Sequence, residues 1–177
     1  MKRLIMCEGP NELEIIRILL NNNKLIFGED DLIGLMPYHA RQLSNAQVRT
    51  ELNIYPGHDV LIMRIGDVQN EALKIPADYT DKITDVEKYC TKPELEMLLI
   101  ISEGLISEFN KVKSKVSPKE FAKTHINCGK RKYDNSTRFY ADYYGSDPDK
   151  LVKAIKDYKR IKGKHKKNEL YLADLLK

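Results

Sequence analysis

Leu4, Ile5, Met6 and Cys7 form an unbroken apolar run, and directly after it the pattern changes period. Leu13, Ile15, Ile16, Leu19 and Leu20 recur at helical spacing, a wide apolar stripe behind a cap at Asn11. Glu12 and Glu14 fall in the first turn, where acidic side chains meet the positive end of the helix dipole. Asn21, Asn22 and Asn23 end that helix. Residues 32–36 read as a second strand stopped by Pro37, and Val48 and Leu52 mark the inner face of a helix capped by Ser44. Residues 60–65 are almost continuously apolar, the pattern of a strand buried on both faces of a parallel sheet. A short fourth strand is expected over 83–89, then an amphipathic helix from Pro93 to about Lys111 carrying Leu95, Leu98, Leu99, Ile106 and Phe109. Ser117 and Pro118 open a short helix, and residues 127–147 are rich in turn formers. Helices are expected over 148–161, capped by Asp147, and over 168–176. The predicted fold class is α/β. A central, mostly parallel sheet of about four strands flanked by helices occupies residues 1–92, and a helical, basic region over 93–177 packs on it as one compact unit.

The 177 residues suffice for one domain with a real core, and 42% hydrophobic against 32% charged is a globular composition. No apolar run approaches the roughly 20 residues that span a bilayer. The start of the chain lacks the apolar stretch and cleavage motif of a secretory signal. No membrane association and a cytoplasmic location are therefore expected. Cys7, Cys90 and Cys128 are widely spaced with no CxxC pair, against a disulfide framework or a zinc knuckle. The four histidines form no zinc-binding set, and neither a Gly-rich phosphate loop nor a GxSxG elbow occurs. The net charge of +4 conceals a division: residues 1–110 carry 11 basic and 18 acidic side chains, residues 111–177 carry 19 and 8. An acidic half able to hold a cation beside a basic half able to hold phosphates suits an enzyme acting on a polyanion.

Glu8 follows the first predicted strand and Asp67 the third, so both are expected at the carboxyl-end rim where open α/β sheets collect ligands. Adjacent strands lie about 4.8 Å apart, so two such carboxylates repel unless a cation, a shared proton or solvent intervenes. Mg²⁺ takes oxygen ligands, often one or two carboxylates, and can polarise a phosphoryl oxygen. Glu96, near the start of the helix after the fourth strand, is expected at the same rim.

Glu8-Gly9 after one strand and an acidic position after a later one resemble the Toprim fold of topoisomerases, primases and several nucleases. Lys92-Pro93-Glu94-Leu95-Glu96-Met97-Leu98-Leu99 resembles the proline-led acidic helix of RloB-type proteins, a Toprim-like group found beside phage-defence loci, and the Ala154-Ile155 helix is similar to that group's closing helix. The resemblance implies a metal-dependent nuclease or related phosphodiester-processing enzyme in a defence or repair setting, with Mg²⁺ or Mn²⁺ as cofactor. It implies Glu8 as general acid/base, Asp67 as principal metal ligand and Glu96 as a supporting carboxylate, with Glu8 also at the metal. Where the family carries a second aspartate, this chain has Gln69, a neutral and weaker donor; Glu71 lies nearby as a substitute. That departure opens the alternative of a non-catalytic nucleic-acid-binding or regulatory subunit, and the resemblance implies an ATPase partner.

The partner expected from charge is nucleic acid, DNA or RNA. Lys130, Arg131 and Lys132, then Arg138, interleave with Tyr133, Phe139, Tyr140, Tyr143 and Tyr144, a pattern that neutralises phosphates and stacks unpaired bases. Lys159 and Arg160 on the following helix are candidates for further backbone contacts. A phosphoryl-transfer or receiver-like domain acting on small molecules leaves the basic half without a purpose.

Overall fold

A computed structural model describes residues 1–67 and 71–177. The apolar run at the start is strand β1 (Lys2–Cys7), and helix α1 (Pro10–Asn21) follows after two residues. Gly9, not Asn11, stands at the cap position, and Pro10 at the first helical position sets its backbone angle in advance. Residues 32–36 do not form a strand. Gly34 (φ 67°) and Leu35 (φ 60°) are left-handed, which no strand accommodates, and the segment is a short 3₁₀ turn. The second strand, β2 (Tyr38–His39), begins only after Pro37. Helix α2 (Ala46–Ile54) is capped by Asn45 rather than Ser44: the Asn45 side chain accepts from the backbone N–H groups of Gln47 and Val48. Val48 and Leu52 are both buried.

Strand β3 (Val60–Gly66) is buried along its whole length, as its unbroken apolar run predicts. Strand β4 (Ile83–Cys90) follows. The single long helix expected from Pro93 to about Lys111 is two: α3 (Met97–Ser102) and α4 (Ile106–Val112). Gly104 between them has φ 70°, a conformation that ends a right-handed helix. Helix α5 (Pro118–His125) carries a capping box, with Ser117 and Glu120 each satisfying the other's backbone N–H. Residues expected to be only turns contain a hairpin of β5 (Asn127–Cys128) and β6 (Arg131–Lys132), then helix α6 (Thr137–Tyr144) capped by Ser136. Helix α7 (Pro148–Lys162) is capped by Asp147. The helix expected over 168–176 is instead strand β7 (Leu170–Tyr171) and a 3₁₀ turn over Leu172–Leu175.

Five strands form one parallel sheet in the order β2-β1-β3-β4-β7. Side chains alternate across it. Leu4, Met6, Val60 and Ile62 face a smaller core with α2, while Ile5, Cys7, Leu61, Met63 and Ile65 face a larger one. That larger core takes residues from both halves of the chain, among them Leu19, Leu98, Phe121, Tyr140 and Ile155. Helices therefore cover both faces, and the sequence between β1 and β3 is wound outward from the centre. After β1 the chain runs to α1 over the larger core. After β3 it returns past Leu73 and Tyr79 against the smaller one. Connections that part to opposite faces open a crevice at the carboxyl ends of the two neighbouring strands, the position at which doubly wound sheets bind ligands. No helix among the described residues is long and apolar enough to cross a membrane.

Candidate functional site

Glu8 and Asp67 both stand at this crevice, and they line different pockets of it. Glu8 continues the alternation of Leu4 and Met6, and Asp67 that of Met63 and Ile65, so the two carboxylates leave opposite faces of the sheet edge. Glu8 is fixed to β3 by its backbone N–H, which donates to the Ile65 carbonyl at 2.8 Å. Its side chain lines a small pocket with Ala40, Arg41, Arg64 and Glu71. Arg41 Nε donates to the Glu8 carbonyl at 3.3 Å, and its Nη2 lies 3.8 Å from Glu8 Oε1. Arg64, buried at the end of β3, donates to the Glu71 carbonyl at 2.9 Å. Glu71 thus belongs to the Glu8 pocket and not to the surroundings of Asp67, where it would have to act as a substitute ligand. Gln69 lies outside the described residues.

The Glu8 carboxylate rests where a side chain at Gly66 would be: a Cβ there would collide with it. Gly66→Ala is accordingly expected to cost about 1–3 kcal/mol, the range for forcing extra volume into a packed site. Denaturant unfolding of Gly66→Ala, Glu8→Ala and the double variant should show that the alanine at 66 costs much less once Glu8 is truncated. Additive losses would mean that the glycine is required for another reason.

Asp67 and Glu96 are brought together. They line an open cleft of about 250 Å³ with Asn11, Glu12, Glu94 and Asn135. Glu12 is the member that sequence reasoning assigned only to the helix dipole. It folds back over Gly9, where a Cβ would clash with its carboxylate. Burial, partly offset by a hydrogen bond to its own backbone, pushes the Glu12 carboxyl up to about 7, and the charges of Asp67, Glu8 and Glu96 push in the same direction. Glu12 is thus the group through which the Glu8 pocket and the Asp67 cleft feel one another. Burial also raises Glu94, with Glu96 and Asp67 adding to it, while the Lys119 N–H that donates to Glu94 Oε2 at 2.9 Å lowers it.

Glu96 precedes α3 and is 6% exposed, with no capping hydrogen bond from its side chain. Its partner comes from the C-terminal half: the buried Tyr133 hydroxyl donates to Glu96 Oε1 at 2.6 Å. Burial, and then the Glu96 charge, holds that phenol well above its usual range, so it stays a donor. Asn11 Nδ2 donates to Asn135 Oδ1 at 3.2 Å, and Asn11 Oδ1 is buried with no hydrogen bond among the described residues. A signal for Glu12 was present in the chain. A glutamate one helical turn past a strand-ending Glu-Gly, with Pro10 starting the helix at once, has to lie at the same rim.

The donors are all oxygens, which fits Mg²⁺ or Mn²⁺ in chemical kind. In number they fall short. Among the described residues no group of three or more His, Cys, Asp or Glu side chains is placed to hold a metal ion.

The aromatics between residues 133 and 144 are core, not surface. Tyr133, Phe139, Tyr140, Tyr143 and Tyr144 are all buried. Four of the six expected phosphate contacts are occupied by carboxylates. Arg131 pairs with Asp134 at 2.6 Å and Asp142 at 3.2 Å, and Arg138 lies 3.7 Å from Asp142. Lys159 pairs with Asp174 and Arg160 with Asp157. Lys130 and Lys132 are exposed on the hairpin.

No protein-family model, curated protein or solved structure matches this chain.

Proposed function

We propose that the protein is a Toprim-like, metal-dependent phosphodiester-processing enzyme acting on nucleic acid, in its simplest form a nuclease. The observation that carries this reading is Glu12: a half-buried carboxyl at the crevice of a parallel sheet, pushed toward neutrality first by desolvation and then by carboxylates at three other positions. A carboxyl that titrates near neutral pH can hold a proton and release it during a reaction, which is what general acid/base work demands. In this reading Glu12 takes the proton-transfer role that the resemblance implied for Glu8. Glu8 is held beside the cleft by Arg41 and supports Glu12 by its charge. Asp67 and Glu96 supply the anionic wall, and Tyr133 keeps Glu96 turned into it. Mg²⁺ or Mn²⁺ held at Asp67 would supply charge neutralisation for a phosphodiester brought against that wall, leaving Glu12 to carry the proton.

The test is cleavage of labelled single- and double-stranded DNA and RNA in Mg²⁺ and in Mn²⁺. Cleavage is expected in at least one combination, and Glu12→Gln and Asp67→Asn should each lower it by about a hundredfold or more. A wild-type protein that leaves every substrate intact in both ions removes the reading.

Gln69, where the resemblance implies an aspartate, favours a second reading, a non-catalytic nucleic-acid-binding or regulatory subunit with a degenerate site. It predicts oligonucleotide binding without cleavage, no stoichiometric Mn²⁺ uptake by calorimetry, and co-purification with a catalytic partner such as an ATPase. Stoichiometric Mn²⁺ binding that disappears in Asp67→Asn counts against it.

A further inference from the structure

The acidic cleft has a neighbour on the other side of Glu94. The same residue lines a second and larger depression of about 630 Å³ between α3, α4, α5 and the end of α7. Its floor is apolar, made by Met97, Ile101, Phe109 and Pro118, and Ile161 is about half exposed at its edge. Its rim carries Lys113 and Lys162, both exposed, and among the described residues neither is in an ion pair. They differ in this from Arg131, Arg138, Lys159 and Arg160, whose charges are already met by carboxylates. At the inner wall the Tyr158 hydroxyl is clamped to the backbone of Lys92, accepting from its N–H at 2.7 Å and donating to its carbonyl at 2.9 Å. Lys92 itself pairs with Glu169. The groove therefore has a fixed inner wall, and its rim carries the exposed Lys113 and Lys162.

We propose that this groove binds a single-stranded segment of nucleic acid and feeds the adjoining phosphodiester into the carboxylate cleft at Glu94. An apolar floor can receive the face of a base only when that base is unstacked, which selects a single strand over a duplex. Lysines on the rim are placed for the phosphates, which contribute affinity without reading sequence. Continuity decides between occupants. An acidic peptide would also satisfy Lys113 and Lys162, but only a polynucleotide uses a groove that shares Glu94 with a cleft of repelling carboxylates suited to a cation-bridged phosphate. The inference rests on the nucleic-acid part of the proposed function and replaces the hairpin and the α6 aromatics with a different surface.

The experiment is fluorescence anisotropy with short labelled oligothymidylate and oligouridylate, in EDTA so that nothing is cut, across a salt series. Four proteins are compared: wild type, Ile161→Asp, Lys113→Glu/Lys162→Glu, and Lys130→Glu/Lys132→Glu, the last making the same charge change on the hairpin. The groove variant is expected to bind about tenfold more weakly or worse, and to flatten the salt dependence by roughly 1.4 in log–log slope, the value for two lost phosphate contacts on a single strand. Ile161→Asp should weaken binding as well, and circular dichroism should show all variants folded. If the hairpin variant loses as much as the groove variant, or the groove variant binds like wild type, the groove assignment is overturned while the nucleic-acid reading stands. If wild type binds neither oligonucleotide, both fall. If it binds oligoglutamate instead, the groove is a peptide site and the inference is wrong.

Discussion

Replacing Glu12 by glutamine is expected to make the protein more stable above neutral pH while removing the proposed cleavage. Burial and three neighbouring carboxylates push the folded-state Glu12 carboxyl from 4.5 up to about 7. The folded protein therefore holds this proton more tightly than the unfolded chain does. Between the two values the native state binds more protons, so stability falls as pH rises. The contribution is fully present below about 4.5 and has been lost once pH passes about 7. A shift of this size corresponds to at most about 3 kcal/mol, less whatever solvent reaches the open cleft. Glutamine keeps the shape and removes the charge. Thermal melts of wild type and Glu12→Gln should nearly coincide at low pH and separate as pH rises, with the variant melting higher.

Divalent ions supply the complementary arm of that experiment. If the cleft holds Mn²⁺, the ion should raise the wild-type melting temperature, by about 2.7 kcal/mol of stability at a hundredfold excess over its dissociation constant. Asp67→Asn should respond far less. A wild-type stability that is flat across this pH range, and that ignores Mn²⁺, would mean that Glu12 is neither strained nor poised. The proposed site would then lose its centre.

The rim was legible in sequence because strand ends can be located from apolar runs. Residues 4–7 and 60–65 are unbroken, the chain changes character directly after each, and Glu8 and Asp67 fall where those runs stop. Which face each carboxylate would take was not read, although it follows from counting alternation along β1 and β3. That count assigns Glu8 to the side of α2 and Asp67 to the side of α1, and it makes Glu12 the natural neighbour of Asp67. β2 was misplaced for a different reason. It forms only two pairs, Met6 with Tyr38 and Cys7 with His39, too few to impose a pattern, while residues 32–36 offered an apolar run of which the left-handed Gly34-Leu35 turn buries Leu32 and Ile33 and leaves Leu35 and Met36 exposed. Helix α6 was hidden by its own composition. Asp134, Asn135 and Ser136 signal a turn, and the aromatics beyond them looked like a stacking surface until the fold showed what they cover. The link from Tyr133 to Glu96 spans 37 residues and could be found only in three dimensions.

Phe139→Ala tests that last correction and carries the largest expected loss of stability. Phe139 is fully buried on α6, with the Tyr133 ring at 5.1 Å edge-on and the Tyr143 ring stacked at 5.7 Å. It belongs to the same core as α1, so it helps fasten the C-terminal half to the sheet. Truncating a buried phenylalanine costs about 3–5 kcal/mol, because the cavity adds to the lost burial. For a chain of this size that corresponds to a fall of about 10 °C in Tm. An aromatic that stacked on bases would behave in the opposite way: its removal would leave Tm nearly unchanged and weaken oligonucleotide binding by about 1–3 kcal/mol. Differential scanning calorimetry and anisotropy on the same variant separate the two, provided binding is measured well below its transition. The expected pair of results is a large loss of Tm with oligonucleotide affinity close to wild type. A stable Phe139→Ala that binds poorly would return the α6 aromatics to the surface and, with them, the nucleic-acid contact that the fold takes away.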